Sequence, residues 1–252
     1  MRIAVAGATG TVGRYVVADA QRRGHDVVRL SRAYGVDVVT GAGLPDALAA
    51  VDAVIDVTNL TTLSAGAARS FFAAATRGLL AAEREAGVAH HVCLSIVGID
   101  DIDASYYAGK LAQERAVQAG TVPYTIARAT QFHEFAGQLL AGMKGPVAVV
   151  PKLLCRPVAA REVGERLVEV AEGPPLGRAT DLVGPREEIL ADMARQQVAH
   201  DGLRRKVLEV RFPGAYGRGL ASGSLRGSDD RLEARITFDE WLNSTDHERT
   251  TR

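Results

Sequence analysis

The sequence is poor in cysteine, carries no excess of either charge, and has no apolar run approaching the ~20 residues that cross a bilayer. Each scarcity excludes a class. Its two cysteines, Cys93 and Cys155, lie far apart with no CxxC spacing, which implies free thiols in a reducing compartment and not a disulfide framework. Lysine plus arginine number 30 against 30 for aspartate plus glutamate, so no basic balance favours nucleic acid or an anionic membrane surface. The opening MRIAVAGATG lacks the charged and small-residue regions of a secretory leader, so none is expected. There is no internal repeat, no heptad array and no Gly-x-Ser-x-Gly elbow of a hydrolase. No His/Cys/Asp/Glu cluster has metal-ligand spacing, and no metal is expected. What remains is a globular chain of 252 residues, expected to be cytoplasmic and able to bury a full-sized core.

Glycine is what the sequence has in plenty, with 26 residues against a usual share of ~7%. The first half alternates short β-branched runs with longer alanine- and leucine-rich stretches. Residues 3–6, 27–30, 36–39, 53–57, 92–96 and 124–127 are expected strands; 12–23, 67–86 and 105–119 are expected helices. Near-continuously apolar strands separated by helices imply a parallel sheet covered on both faces, a doubly wound (Rossmann-type) α/β fold. After residue 129 the rhythm changes. Helices are expected over 131–143, 159–172 and 186–200, with Pro185 suited to the last one's first turn, and strands over 147–150 and 179–183. Residues 214–230, rich in Gly, Ser and Arg, are expected to form a mobile loop, either a connector or a substrate lid. The run 204–206 is expected on a solvated face. The whole forms a single domain, with residues 1–128 as a dinucleotide-binding core and 129–252 as a smaller, mainly substrate-binding lobe.

Directly after the first strand stands Gly7-Ala-Thr-Gly10-Thr-Val-Gly13. In this place, after a strand and opening a helix, three glycines have a physical purpose. Gly7 permits a tight turn, Gly10 lets a pyrophosphate approach the backbone, and Gly13 lets the helix pack on the strand. The helix start then offers unpaired N–H groups and a favourable dipole to phosphates, with Thr9, Thr11 and Val12 in the turn and the two threonines adding hydroxyl donors.

GATGTVG in this context resembles the short-chain dehydrogenase/reductase superfamily in its extended or atypical branch. DVTN at 56–59, HHVCLSIVGID at 90–100, YYAGKLAQE at 106–114 and PYTIARATQFHEF at 123–135 are similar to the NmrA-like, NAD(P)H-binding oxidoreductases of that branch, in family order. PVAAREVGE at 157–165 and DLVGP at 181–185 extend the likeness more loosely. The resemblance implies that Asp56, Thr58 and Asn59 border the adenine or nicotinamide ribose. It also implies that Thr130, Gln131, Phe132 and His133 follow the strand beside the nicotinamide, Thr130 and Phe132 towards the cofactor and Gln131 and His133 in the substrate pocket. A packed histidine competes with a pocket role for His133.

The second strand ends Arg29-Leu30-Ser31-Arg32, without the carboxylate that binds a ribose 2′-hydroxyl in NAD enzymes. Arg32, with Ser31 beside it, instead suits a 2′-phosphate, so NADP(H) is the expected cofactor. Tyr106 and Lys110 stand four apart on one helical face. An ammonium there would favour the phenolate of a tyrosine whose ordinary pKa is near 10. Hydride transfer to a carbonyl leaves an alkoxide that needs a proton. Tyr106 is the expected donor, with Tyr107 lining the mouth or replacing it. Lys110 would tune the phenol and hold the ribose, and Ser95, ending the fifth expected strand, would orient the carbonyl. This matches the Ser–Tyr–Lys arrangement of the resembled superfamily. The reading is an NADP(H)-dependent oxidoreductase acting on a small carbonyl or quinone, without nucleic-acid or membrane partners; homo-oligomerisation stays open. The alternatives are a non-catalytic NADP(H)-binding redox sensor acting through protein partners, and an epimerase or dehydratase.

Overall fold

A computed structural model describes residues 1–251, with side chains described through residue 248. In chain order the elements are β1 (Arg2–Ala6), α1 (Gly13–Arg22), β2 (Asp26–Leu30), α2 (Leu44–Ala47), β3 (Ala53–Asp56), α3 (Ala65–Ala86), β4 (His90–Ile96), α4 (Ser105–Gln118) and β5 (Tyr124–Ala129). There follow α5 (Glu134–Ala141), β6 (Val147–Pro151), β7 (Leu154–Cys155), α6 (Ala160–Glu172), β8 (Gly177–Arg178), β9 (Leu182–Val183), β10 (Glu188–Ile189), α7 (Leu190–His200), β11 (Lys206–Val210), α8 (Gly214–Ala221), β12 (Leu232–Glu233), α9 (Phe238–Leu242) and α10 (Thr245–Thr251). The chain divides into two compact units. The first holds residues 1–95, 103–128 and 161–180; the second holds 96–102, 129–160 and 181 onward.

The first unit is built on parallel strands in the order β2-β1-β3-β4-β5. β1 pairs in parallel with β2 on one side (Ile3 with Val27, Ala6 with Leu30) and with β3 on the other (Ile3 with Ala53, Ala6 with Asp56). Strands this apolar have both faces covered. Ala4, Ala6 and Val54 share a buried cluster with Leu79 of α3 and Leu44 of α2, while Ile3, Val5 and Ile55, which alternate with them, are equally buried. α1 packs on β1 and β2, and α6 lies against it so closely that a Cβ on Gly164 would stand 2.8 Å from Tyr15 Cβ. The order 2-1-3-4-5 reverses direction between β1 and β3, and that switch point is where doubly wound sheets bind ligands, beyond the carboxyl ends of the strands.

Residues 36–39, expected as a strand, form a loop. Val36 is buried and Val38 packs against the same apolar cluster, which accounts for the hydrophobic pattern. Asp37 Oδ1 accepts the Val39 N–H at 2.8 Å, a local bond that offers the backbone an alternative to a strand ladder.

In the second unit, Ala129 at the end of β5 pairs with Leu182 of β9, and β9 pairs with β12. A smaller parallel pair, β6 with β11, carries α5 and α7 on a core of Leu140, Val150, Ala191, Ala194, Val198 and Val207. Three expectations are corrected here. The helix placed over 186–200 begins only at Leu190, because Glu188 and Ile189 pair antiparallel with Cys155 and Leu154. The loop placed over 214–230 contains α8 and a 3-10 turn at Ser224–Arg226, anchored by the buried side chains Leu220 and Leu225. Arg205 is no solvated charge: its guanidinium donates to the carbonyl oxygens of Leu140, Met143 and Gly145, satisfying groups left open where α5 ends. Both cysteines are buried free thiols, Cys93 in the first unit and Cys155 in the second. Burial, with Glu188 nearby, pushes the Cys155 thiol up to about 12.

The closest helix pair is α3 with α4. A Cβ on Gly109 would stand 2.6 Å from Phe72 Cδ2, 2.7 Å from Ala68 Cβ and 2.9 Å from the Ala68 backbone. Gly109→Ala gains about 1 kcal/mol of helix propensity but, with three contacts under 3 Å and one of them to backbone, overpacks the core at the upper part of the usual range, about 2–3 kcal/mol. A net loss of about 1–2 kcal/mol is expected in urea denaturation; an unchanged midpoint would show that α4 moves off α3 without cost.

Candidate functional site

The glycine turn is strained in the way its sequence predicts. Gly7 has φ +82, and a Cβ there would lie 2.8 Å from the carbonyl oxygen of Val57. A Cβ on Gly13 would lie 2.1 Å from the Gly7 carbonyl oxygen, and one on Gly10 3.2 Å from it. The turn is thus folded onto itself and onto the end of β3. Its N–H groups tie it in place: Gly7 donates to Leu30 at the end of β2 (3.1 Å), and Gly10 to Gly7 (2.9 Å). α1 starts at Gly13 with Val12 as a cap that supplies no side-chain acceptor and with no acidic residue in its first turn. Arg14 N–H donates to the Gly10 carbonyl oxygen (3.2 Å) and Tyr15 N–H to that of Val12 (2.9 Å), so what the helix start keeps for a ligand is chiefly its uncompensated positive end. Thr9 and Thr11 stand at the surface of the turn, and Val12 is buried beneath it.

Around this turn, three strands of the sheet end in hydroxyls. Ser31 follows β2, Thr58 follows β3, and Ser95 is the last residue but one of β4. All three side-chain oxygens are buried and have no hydrogen-bond partner among the described residues. Buried polar groups are normally paired, so these three at the carboxyl ends of the strands hold hydrogen-bonding capacity that the protein does not itself use. Arg32 is exposed and makes no ion pair among the described residues.

Asp56 is held within the protein. Its side chain is fully buried; Oδ1 accepts the Thr58 N–H at 2.9 Å and Oδ2 accepts from Gln113 Nε2 at 2.8 Å. Both oxygens accept bonds from the protein, and the carboxylate shapes the start of the 57–59 loop. Gln113 was not singled out by sequence. It lies three residues after Lys110, and its Oε1 accepts from the Lys110 ammonium. Lys110 also donates to the Leu94 carbonyl oxygen at 2.6 Å and sits 4.8 Å over the Phe72 ring. It is 3% exposed, and no hydrogen bond joins it to Tyr106. Tyr106 instead donates to Asn59 Oδ1 at 2.7 Å, with its ring edge-on to Phe72 and Tyr107. Burial, and secondarily Cys93, push its phenol above the ordinary tyrosine range, the reverse of the lowering expected from a neighbouring ammonium. Tyr107 is buried. Ser105, just before Tyr106, holds φ +52, a conformation costly for a non-glycine residue.

In the second unit, Thr130 is spent on the backbone: it donates to Arg156 and accepts from Gly184. Phe132 bridges to Val158. His133 is fully buried, donates through Nε2 to the Ile236 carbonyl at 3.0 Å, and packs on Phe238 and Trp241. Burial lowers its pKa to about 4, so it is a neutral core histidine, and the pocket role is corrected. Gln131 keeps a buried side-chain amide with no partner among the described residues.

These features agree with the comparison to known families. A model described as NAD(P)H-binding matches residues 7–145, more than half of the chain. The chain belongs to the NAD(P)H-binding family. Its fold is shared by a short-chain dehydrogenase/reductase superfamily protein from Agrobacterium tumefaciens with bound NAD (20% identity, covering 100% of this chain and 98% of that one, TM-score 0.68). It is shared too by the Citrobacter sp. triphenylmethane reductase complexed with NADP(H) (18%, 96% and 99%, 0.70) and by an NADPH-dependent quinone oxidoreductase from Escherichia coli (15%, 96% and 98%, 0.69). At such identities the likeness is one of fold. No curated protein sequence matches. The family assignment makes a nicotinamide nucleotide the ligand of this chain. Among the described residues no helix is long and apolar enough to cross a membrane.

Beneath the site lies a buried ion pair, His91 Nδ1 with Glu83 at 2.9 Å, both fully buried. Burial alone would lower the imidazole, but Glu83 and Cys93 hold it well above 6.5. A raised native pKa gives stability that is complete below the unfolded value of about 6.5 and is lost as pH rises through the native value. Stability in urea is therefore expected to fall as pH rises above about 6.5, and Glu83→Gln should flatten that slope while lowering stability overall. Parallel profiles for the two proteins would remove the pair from the pH response.

Proposed function

We propose that the chain is an NADP(H)-dependent oxidoreductase that reduces a carbonyl or a quinone. The observation that carries the reading is the row of unpartnered buried hydroxyls, Ser31, Thr58 and Ser95, along the carboxyl ends of three strands beside a turn with no room for side chains. The residues present fit a dinucleotide. The Gly7–Gly13 turn and the α1 start suit a pyrophosphate, and the uncommitted Arg32 with Ser31 Oγ suits a 2′-phosphate. Thr58 and Asn59 suit a ribose. When bound, the reduced nicotinamide supplies a hydride.

The chain's own residues supply the rest. Ser95 Oγ, free to donate, orients and polarises the acceptor oxygen. Tyr106 Oη gives that oxygen its proton. The phenol, raised by burial, holds its proton at neutral pH and so enters the reaction in its acid form. Lys110 fixes the Leu94 carbonyl, one residue before Ser95, and so steadies the strand end that carries the serine. A second reading has one observation behind it. With the Lys110 ammonium consumed internally, the tyrosine lacks its expected electrostatic partner, as in a nucleotide-binding sensor that acts through proteins. Incubation with NADPH and a panel of aldehydes, ketones and quinones, followed by nicotinamide absorbance, separates the two: tight binding without turnover on any class would favour the sensor.

Two variants test the assignments. Arg32→Ala should weaken NADPH binding about ten- to a hundredfold, the range of a hydrogen bond to a charged group, and leave NADH almost unchanged; equal losses in calorimetry would remove Arg32 from the nucleotide. Tyr106→Phe should lower carbonyl reduction about 10²–10⁴-fold with nucleotide affinity retained, while quinone reduction, able to take protons from water, should lose less. Full carbonyl turnover in Tyr106→Phe would transfer the acid role elsewhere.

A further inference from the structure

In the second unit, far from every residue assigned above in sequence, three donors converge. His200 closes α7, Asp201 caps it, and His247 lies on α10. The Asp201 Oδ1 atom stands 3.0 Å from His200 Nδ1 and 2.7 Å from His247 Nε2. All three donor atoms lie within 4.8 Å of one another. Ligand atoms around a first-row ion bound at ~2.0–2.2 Å stand roughly 3–3.5 Å apart, so little movement separates this arrangement from a coordination sphere.

The donors are also held from behind, as metal ligands usually are. Gln197, 3% exposed, donates through Nε2 to the other Asp201 oxygen at 3.3 Å, leaving Oδ1 for the imidazoles. The His247 ring is fixed edge-on against Trp241 at 4.9 Å and against His200 at 5.1 Å. Side-chain exposure falls from 36% at His200 through 16% at Asp201 to 4% at His247. The cluster is therefore anchored at its inner end and open to solvent at its outer one.

The geometry points to a divalent transition-metal site on His200 Nδ1, Asp201 Oδ1 and His247 Nε2, with water completing the sphere on the exposed side. Two imidazoles and one carboxylate select zinc-like ions over calcium or magnesium, which take oxygen donors. Bound there, the ion would clamp α10 to the end of α7. A second group, Asp56, His91 and Cys93, also brings its donor atoms within 4.8 Å. It is wholly buried, so it offers an ion no entry from solvent. The inference is independent of the nucleotide reading.

The test titrates the full chain, free of any histidine tag, with Co²⁺ and then with Zn²⁺ as competitor. Saturable d–d absorption at one Co²⁺ per chain, displaced by Zn²⁺, is expected. His200→Ala, at an exposed position that does not threaten folding, and Asp201→Asn should each lose it, with far-UV circular dichroism unchanged. Zn²⁺ should raise the thermal midpoint of the parent protein and not that of His200→Ala. Absence of saturable binding, or full absorption in both variants, overturns the proposal and leaves a metal-free His–Asp–His clasp.

Discussion

An ammonium buried to 3% exposure must be met by fixed acceptors, since uncompensated burial of a charge costs several kcal/mol. Much of the first unit's ligand edge is arranged around meeting Lys110. Its bonds go to the Leu94 carbonyl and to Gln113, and the Phe72 face covers it. Gln113, fixed by that bond, turns its amide to Asp56, and the other oxygen of Asp56 holds the Thr58 N–H. One residue further, Asn59 receives the Tyr106 hydroxyl. A single buried charge is thus tied, bond by bond, from β4 through α4 to the loop after β3. Where Thr58 and Tyr106 stand follows from it.

The elements that position this edge were legible because each is written in local pattern. β1 to β5 are apolar runs of strand length, and α1, α3 and α4 keep helical character over ten residues or more. The glycine turn was legible for a stronger reason: a Cβ at Gly13 would meet backbone at 2.1 Å, so the sequence has no latitude there. The network behind the site was not legible. Glu83 carries no motif, and His91 and Gln113 stand inside the blocks at 90–100 and 106–114 without a role of their own there; what the three do depends on partners 8, 8 and 57 residues away. Lys110 and Tyr106 share a helical face by spacing, yet their polar ends part because a buried carbonyl and an exposed asparagine are the acceptors within reach.

The second unit shows the limits of pattern more clearly. Glu188 and Ile189 look helical but are claimed by β7, and the Gly- and Ser-rich stretch after residue 213 folds because Leu220 and Leu225 find a core. His133 reads as polar and sits among Phe238 and Trp241 as a neutral ring. In each case a contact distant in sequence overrides the local preference, as it does where His247 reaches Asp201 across 46 residues.

The placement of the two thiols has a practical consequence. Cys93 is sealed within the first unit and Cys155 within the second, and neither is accessible to an alkylating reagent in the folded chain. Modification must wait for local or global opening. Mass spectrometry of the two cysteine-bearing peptides after timed exposure to an alkylating agent would therefore clock the opening of each unit separately. The chain carries one native, non-perturbing reporter in each half.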